Sequence, residues 1–421
     1  MALALGFVRL DDKSIWVDES FTLDLMKWSP VDLLDSNYLL NVLALKTWAA
    51  VVGDGTWELR ASSVVAAAAA AALVYALGLR LLGRRGALAS GLLAAVSPFL
   101  VAWSQQVRGY TVLLALVTAT ALALTSALQR PGRGRWTLYG LLLAVSIAWH
   151  PYAALVVPAH LAAVAWYRPR PGFRPILVAV VGAFAVTAPW LAVVAGRENT
   201  GGGPTTWLEQ PGIEAVVIGL VIVAGPPLVG LVLAGLGAVA LSRSDTRWVA
   251  MFLCTWAAAP FVITIGLSFV EPLFLDRYLI VASPAFALLG GAALGAVRWR
   301  PAFVAALTAV VVVCALSLSS WYRSDGGENW RGAVAYLGET RTNGEAVLVA
   351  PFWARPSFAY AAGALELSAQ PSGSPVWVLV RESDTDERVT LARSELGLDG
   401  YALSDERSFG RSLWVQRWER R

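Results

Sequence analysis

The sequence predicts a polytopic α-helical membrane protein ending in a small α/β domain outside the membrane. Composition is the first reason. Residues are 57% hydrophobic and only 15% charged, with mean hydropathy +0.60, whereas a soluble domain is roughly 25% charged. Patterning is the second. Apolar residues gather in runs such as 64–79, 113–124 and 303–316, and a helix of about 20 such residues crosses a hydrocarbon core of roughly 30 Å. The third is a change of character from Arg323 onward, where charge rises and short strand-like runs begin.

Spans are expected at about 58–82, 86–103, 110–128, 136–149, 151–166, 175–195, 224–242, 248–269, 279–297 and 302–322. Arginine marks alternate connections between them: Arg84 and Arg85; Arg130, Arg133 and Arg135; Arg168, Arg170 and Arg174; Arg243 and Arg247; Arg298 and Arg300. Asp245 is the one acid among them. The positive-inside rule puts these connections in the cytoplasm. The connections 11–57, 196–210 and 270–278 then face outward. The net charge of +4 is therefore membrane topology and not a nucleic-acid footprint. Cys254 and Cys314 fall inside spans, so no structural disulfide is expected.

The N-terminal "MALALGFVRL" is apolar but too short to span, and it lacks the parts of a signal peptide. Since residue 18 must lie outside, the first span is expected to be truncated. The membrane domain is read as 1–322, with external loop 11–57, and the external α/β domain as 323–421. Within that loop, 36–53 reads as an interfacial helix interrupted by Asn41 and Lys46. Strands are expected at 346–350, 376–380 and 413–415, with helices at 330–340 and 355–362 between them.

Polar residues then collect on the outer side. "SIWVDESFT" carries Asp18 and Glu19. "WSQQVRGY" carries Gln105, Gln106 and Arg108. "AWHPYA" carries His150, and "EPLFLDRYL" carries Asp276, Arg277 and Tyr278. Each has a bland reading. The acids can cap a helix starting near Ser20, and edge arginines can snorkel to headgroups. Together they suggest a site. Arginine grips phosphate through a planar fork, and a carboxylate can take a proton from a hydroxyl nucleophile. That describes transfer from a phosphate leaving group to an alcohol.

The order of these motifs resembles the membrane-embedded GT-C glycosyltransferases, specifically family 39-like enzymes with an RgtA/B/C/D-type or protein-mannosyltransferase-type domain. A W-x-D-E motif is matched by Trp16, Asp18 and Glu19. S-Q-x-x-R-x-Y is matched by Ser104, Gln105, Arg108 and Tyr110. R-Y-L followed by proline is matched by Arg277, Tyr278, Leu279 and Pro284, and a histidine after the span ending at 149 by His150. "NWRGAVAYL", Asn329–Leu337, resembles the start of the external domain many members carry. Departures are Gln106, where members often carry an acid, and "DSNY" at Asp35–Tyr38, where members carry an H-P-P-like stretch.

The resemblance implies a GT-C fold and transfer of a hexose or pentose from a polyprenyl-phosphate sugar to a hydroxyl of a glycan, lipid or protein. The work would be done in the cell envelope, on the outer face of the plasma (inner) membrane. It implies Asp18 as general base, with Glu19 orienting or assisting. Arg108 and Arg277 would bind donor phosphate, and Gln105, Tyr110, His150 and Tyr278 would line the pocket. Lys46, in a chain of three lysines and thirty arginines, is expected to offer an ammonium to that phosphate. A lipid-linked donor needs no nucleotide loop, and neither G-x-G-x-x-G, a P-loop nor H-E-x-x-H occurs. No particular cofactor is implied. His150 and His160 would be roughly 15 Å apart on a helix, and a divalent cation, Mg or Mn, on the acids is an alternative left open. The rival readings are a lipid-linked sugar transporter or flippase, which would want charges at mid-membrane, and an inactive relative that only binds lipid-linked sugar.

Overall fold

A chain surrounded by hydrocarbon must satisfy its backbone donors and acceptors within each segment, so the apolar runs fold as helices. In the computed structural model, residues 1–35, 38–168, 172–197, 208–226, 228–243 and 245–421 are described. Ser36 and Asn37 of "DSNY", Arg170, and 198–207 of the expected 196–210 connection lie outside the described residues.

Among the described residues six helices are long and apolar enough to cross a membrane: Thr56–Leu81, Tyr110–Gln129, Arg174–Val193, Arg247–Ser268, Asp276–Gly295 and Arg300–Arg323. Two broken pairs join them. Gly83–Val96 and Pro98–Ser104 meet at 52°; Pro98 has no N–H to give, and Ser97 Oγ accepts from the Leu100 N–H instead. The single span expected at 224–242 is replaced by the second pair, Ile213–Ala224 and Val229–Ala240. Its break falls at Gly225, whose φ of 122° favours glycine. The expected segments 136–149 and 151–166 form Arg133–Trp149 and a 3₁₀ turn Pro151–Val156 running into Val157–Trp166. Seventeen residues rise only about 25 Å. The chain is a multi-pass helical membrane protein.

The chain divides into two units, Met1–Val8 with Ser29–Ser319, and Arg9–Trp28 with Ser320–Arg421. Residues 9–28, which sequence neighbourhood groups with the membrane helices, thus join the C-terminal part.

Small residues let helices of the first unit touch backbone to backbone. A Cβ on Gly291 would meet Ser90 Oγ at 1.9 Å and the Gly86 carbonyl at 2.6 Å, and one on Gly237 would meet the Leu289 carbonyl at 1.9 Å. The arginine-marked connections meet at one end. Arg85 Nη1 donates to the carbonyls of Val297 and Arg298, and Arg247 lies 4.6 Å over the Trp166 ring. Arg108 sits at the other end. It precedes the 20-residue helix Tyr110–Gln129, which places Arg130 about 30 Å away.

The second unit holds a four-stranded sheet. Its strands are β1 (Ala346–Ala350), β2 (Val376–Arg381), β3 (Tyr401–Ser408) and β4 (Leu413–Arg420), in order β1-β2-β4-β3. β1 and β2 are parallel; the other pairings are antiparallel. Strand residues alternate between faces, and both faces are covered. Val347, Val349, Trp377 and Leu379 pack on Trp330, Leu337 and Phe358 with Val17 of the N-terminal segment. Leu348, Val376 and Val378 pack on Ala392 and Leu396 of helix Thr385–Leu396. That helix and β3 were not anticipated from sequence.

A polar network closes the β3 side. Arg388 Nε and Nη2 donate to the two Glu406 oxygens at 3.1 and 3.0 Å, Gln416 Nε2 donates to Glu406 at 2.8 Å, and the guanidinium lies 3.8 Å over the Trp414 ring. Burial works against the Glu406 charge, but the hydrogen bonds from Arg388 and Gln416 and the Arg388 charge outweigh it and hold the carboxyl below its ordinary range. A depressed carboxyl contributes stability above its unfolded value, near 4.3, and loses it as pH falls through the folded value. Glu406→Gln should therefore flatten the loss of stability below about pH 4 and cost about 1–3 kcal/mol at pH 7, by leaving Arg388 buried without its counter-charge. Thermal unfolding of the detergent-solubilised chain at both pH values checks this, and equal stability of variant and wild type at pH 7 contradicts it.

Candidate functional site

In the first unit the turn after Ser104 is fastened on several sides. Gln105 is buried, and its Nε2 donates to the carbonyls of Gly6 and Val8 at 3.0 and 2.7 Å. Ser63 Oγ donates to the Arg108 carbonyl at 3.1 Å. The Gly109 carbonyl accepts from Trp149 Nε1 at 2.8 Å. This last bond ties the Arg108–Tyr110 turn to the residue before His150. Gly109 is glycine for want of room: its φ is an ordinary −76°, but a Cβ there would lie 1.8 Å from Asn41 Nδ2 and 2.9 Å from Trp149 Nε1.

Around this turn an aromatic cluster forms. Ring centroids of Tyr110 and Tyr278 lie 6.2 Å apart, His150 is 5.0 Å from Tyr278 and 6.3 Å from Tyr110, and Tyr152 is 4.9 Å from Tyr278. Two guanidiniums border it. Arg108 lies 5.4 Å over Tyr110 and 5.6 Å over Tyr38, with Nη2 donating to the Tyr110 hydroxyl at 3.2 Å. Arg277 lies 5.8 Å over Tyr278, and its backbone N–H donates to Asp276 Oδ1 at 2.6 Å. Thus Arg108, Tyr110, His150, Arg277 and Tyr278 are brought together. Tyr38, Tyr152 and Trp149 complete the cluster; the sequence reading assigned them no role, although all three are aromatic neighbours of quoted motifs.

His150 Nδ1 accepts from the Tyr152 N–H at 3.3 Å, which leaves the proton of a neutral ring on Nε2. Burial first, and the Arg108 charge second, push its pKa well below the ordinary range. At neutral pH it is an uncharged donor beside two cations. His160 goes elsewhere: its Nδ1 meets the Tyr139 hydroxyl at 3.0 Å. Lys46 lies half-buried on helix Leu39–Val52, about 7.5 Å along the axis from Asn41. Gln105, expected in the pocket, uses its amide to hold backbone.

Asp18 and Glu19 belong to the second unit. The helix expected to start near Ser20 starts at Val17, so both acids sit inside its first turn, where they favour the dipole. Asp18 is half-buried and Glu19 fully buried, so the pair is not a solvated cap. Lys13 holds the end of helix Arg300–Arg323, donating to the carbonyls of Trp321, at 2.9 Å, and Ser324. Among the described residues no three His, Cys, Asp or Glu converge as ligands.

A family model described as dolichyl-phosphate-mannose-protein mannosyltransferase matches residues 40–192. That stretch holds Arg108, Tyr110 and His150 but not Asp18 or Arg277. No curated protein sequence matches the chain. Among solved structures, ArnT from Cupriavidus metallidurans bound to undecaprenyl phosphate is similar with TM-score 0.62 and 13% identity, over 99% of this chain and 96% of that one. An oligosaccharyltransferase from Archaeoglobus fulgidus in complex with Zn and sulfate gives 0.56 at 13% identity, over 99% of this chain and 73% of that one. AglB from the same organism, with an inhibitory peptide and a dolichol-phosphate, gives 0.50 at 12% identity, over 98% and 73%. At these identities the likeness is one of fold. The GT-C fold expected from the motifs is the fold the chain has.

The Gly109 packing sets its own test. Gly109→Ala must displace Asn41, and overpacking of this kind costs about 1–3 kcal/mol. Adding Asn41→Ala should recover most of the lost thermal stability; a double variant no better than Gly109→Ala alone would show that Trp149 is the obstacle.

Proposed function

We propose that this protein is a glycosyltransferase that moves a sugar from a polyprenyl-phosphate donor to an acceptor hydroxyl. The observation that supports this most is the pair of guanidiniums, Arg108 and Arg277, bordering one cluster of Tyr110, His150 and Tyr278 at one end of the helices. Forked cations beside aromatic faces suit a phosphate joined to a sugar on one side and an apolar chain on the other. The undecaprenyl phosphate of ArnT, the dolichol-phosphate of AglB and the dolichyl-phosphate-mannose of the family description are all polyprenyl phosphates.

In this reading the acceptor oxygen attacks the anomeric carbon as the bond from that carbon to the phosphate oxygen breaks. Arg108 and Arg277 stabilise the charge growing on the departing phosphate. Neutral His150 donates from Nε2, and Tyr110 and Tyr278 present ring faces. Lys46 offers an ammonium as the lipid slides in. Asp18 takes the acceptor proton, and Glu19, wholly buried, orients the helix that carries it. The cluster and the second unit face outward from the plasma membrane, because the arginine-marked connections hold the cytoplasmic side.

Asp18→Asn keeps the shape but removes the base, so transfer measured with a panel of radiolabelled polyprenyl-phosphate sugars should fall about 10²-fold or more with expression unchanged. Activity within a few-fold of wild type would leave Asp18 a structural residue. For orientation, a reporter active only outside the cytoplasm and fused after Arg421 should be on; activity of a cytoplasm-only reporter at that position would reverse the topology.

A further inference from the structure

The helix bearing the two acids, Val17–Leu25, has an unusual start. Its N-cap residue is Trp16, whose side chain makes no capping hydrogen bond, although four N–H groups at a helix start lack intrahelical acceptors. The cap comes from far along the chain. The Val17 N–H donates to Glu328 Oε2 at 3.2 Å, across 311 residues. The same oxygen accepts from Trp330 Nε1 at 2.9 Å, and Glu328 Oε1 accepts from Arg381 Nε at 3.0 Å. Glu328 is 4% exposed, and these three donors, one of them from the Arg381 guanidinium, satisfy both of its oxygens.

We infer that Glu328 is a positioning residue for the acid pair: it caps, from the C-terminal part of the chain, the helix whose first turn holds Asp18 and Glu19. The carboxylate sits where the helix dipole favours an anion, and Arg381 offsets its repulsion of the two acids beside it. Other contacts fix the rotation of the same helix. Ser20 Oγ meets Ser357 Oγ at 3.0 Å, the Tyr360 hydroxyl donates to Asp24 at 3.3 Å, and Val17 is buried with Trp330 and Phe358. Upstream, the Arg331 N–H donates to Ser14 Oγ at 3.0 Å. Glu328 is the long-range partner of the backbone N–H at the residue preceding Asp18, while the carbonyl of that residue accepts from Ser20 Oγ within the helix at 2.8 Å.

The inference rests on Asp18 acting as the base, and two separate readouts on the full chain test it. In hydrogen–deuterium exchange, Glu328→Ala should speed exchange across residues 14–25 about tenfold or more while β1 and β2 keep their protection. Glu328→Gln, which retains an acceptor for Val17, should restore most of the protection. In the transfer assay with polyprenyl-phosphate sugars, Glu328→Ala should lower kcat about tenfold or more with donor KM within twofold, as a misplaced catalytic group does. Unchanged exchange at 14–25, equal loss of protection in β1 and β2, failure of Glu328→Gln to restore it, or full kcat despite a loosened helix would each overturn the assignment. If the wild type transfers no sugar, the proposed activity fails, and the exchange comparison still decides whether Glu328 holds the helix.

Discussion

Hydrocarbon offers no hydrogen bonds, and every other feature of the first unit adjusts to that. Each segment must close its own backbone ladder, so the segments are helices, and irregular backbone is confined to their ends and breaks. Charge is expelled to the same places. Arg85 caps carbonyls between two helices, and Arg247 stacks on Trp166. Arg108 and Arg277 collect where helices begin at the opposite end. Once two guanidiniums share a region bounded by lipid, the neighbouring side chains must be apolar in body and polar at the tip. Tyr110, Tyr152, Tyr278 and Trp149 meet that description. The same exclusion that makes the helices makes the cluster.

The second unit is built differently. Apolar side chains cover both faces of its sheet, and buried polar networks interlock its elements. The Arg388–Glu406–Gln416 network ties β3 and β4 to helix Thr385–Leu396. The Glu328 network ties the start of helix Trp330–Thr340, β2 and the helix Val17–Leu25. Residues 9–28 are therefore a packed element of this unit, with Lys13, Ser14, Val17, Ser20 and Asp24 each bonded to the C-terminal stretch. Buried Glu19 fits that setting better than a loop.

Much of this was legible in sequence. Apolar runs and alternating arginines located most helices and sorted their ends, because both follow from transfer energies that act residue by residue. Arg108, Tyr110, His150, Arg277 and Tyr278 could be named together because each lies at a helix end on one side of that alternation. What escaped depended on contacts distant in sequence or on weak local patterns. Helix Ile213–Ala224, which precedes the break at Gly225, lay ahead of the span expected at 224–242. β3 is an edge strand of mostly polar residues, "YALSDERS", with no alternating apolar face to betray it. Helix Thr385–Leu396 has low hydrophobicity, though Asp384 at its start and Gly397 in the left-handed conformation at its end mark both caps. Gln105 looked like a pocket residue because nothing local says that its amide faces Gly6 and Val8. Nor can any local pattern announce that a helix at residue 17 is capped by residue 328.

That last pairing has a consequence for how the protein is made. A chain emerging from the ribosome presents its N-terminus first, and loop-closure entropy weighs heavily on contacts this remote. The helix with the acids is synthesised first, and the carboxylate that caps it follows only after more than three hundred further residues. Until translation passes Glu328 and delivers Arg381 to neutralise it, the first turn at Val17 lacks its acceptor. A nascent or prematurely terminated chain can insert its helices and still not set its acids. The long-range cap thereby ties the setting of this first turn to the order of synthesis: the helix is made before the residue that caps it.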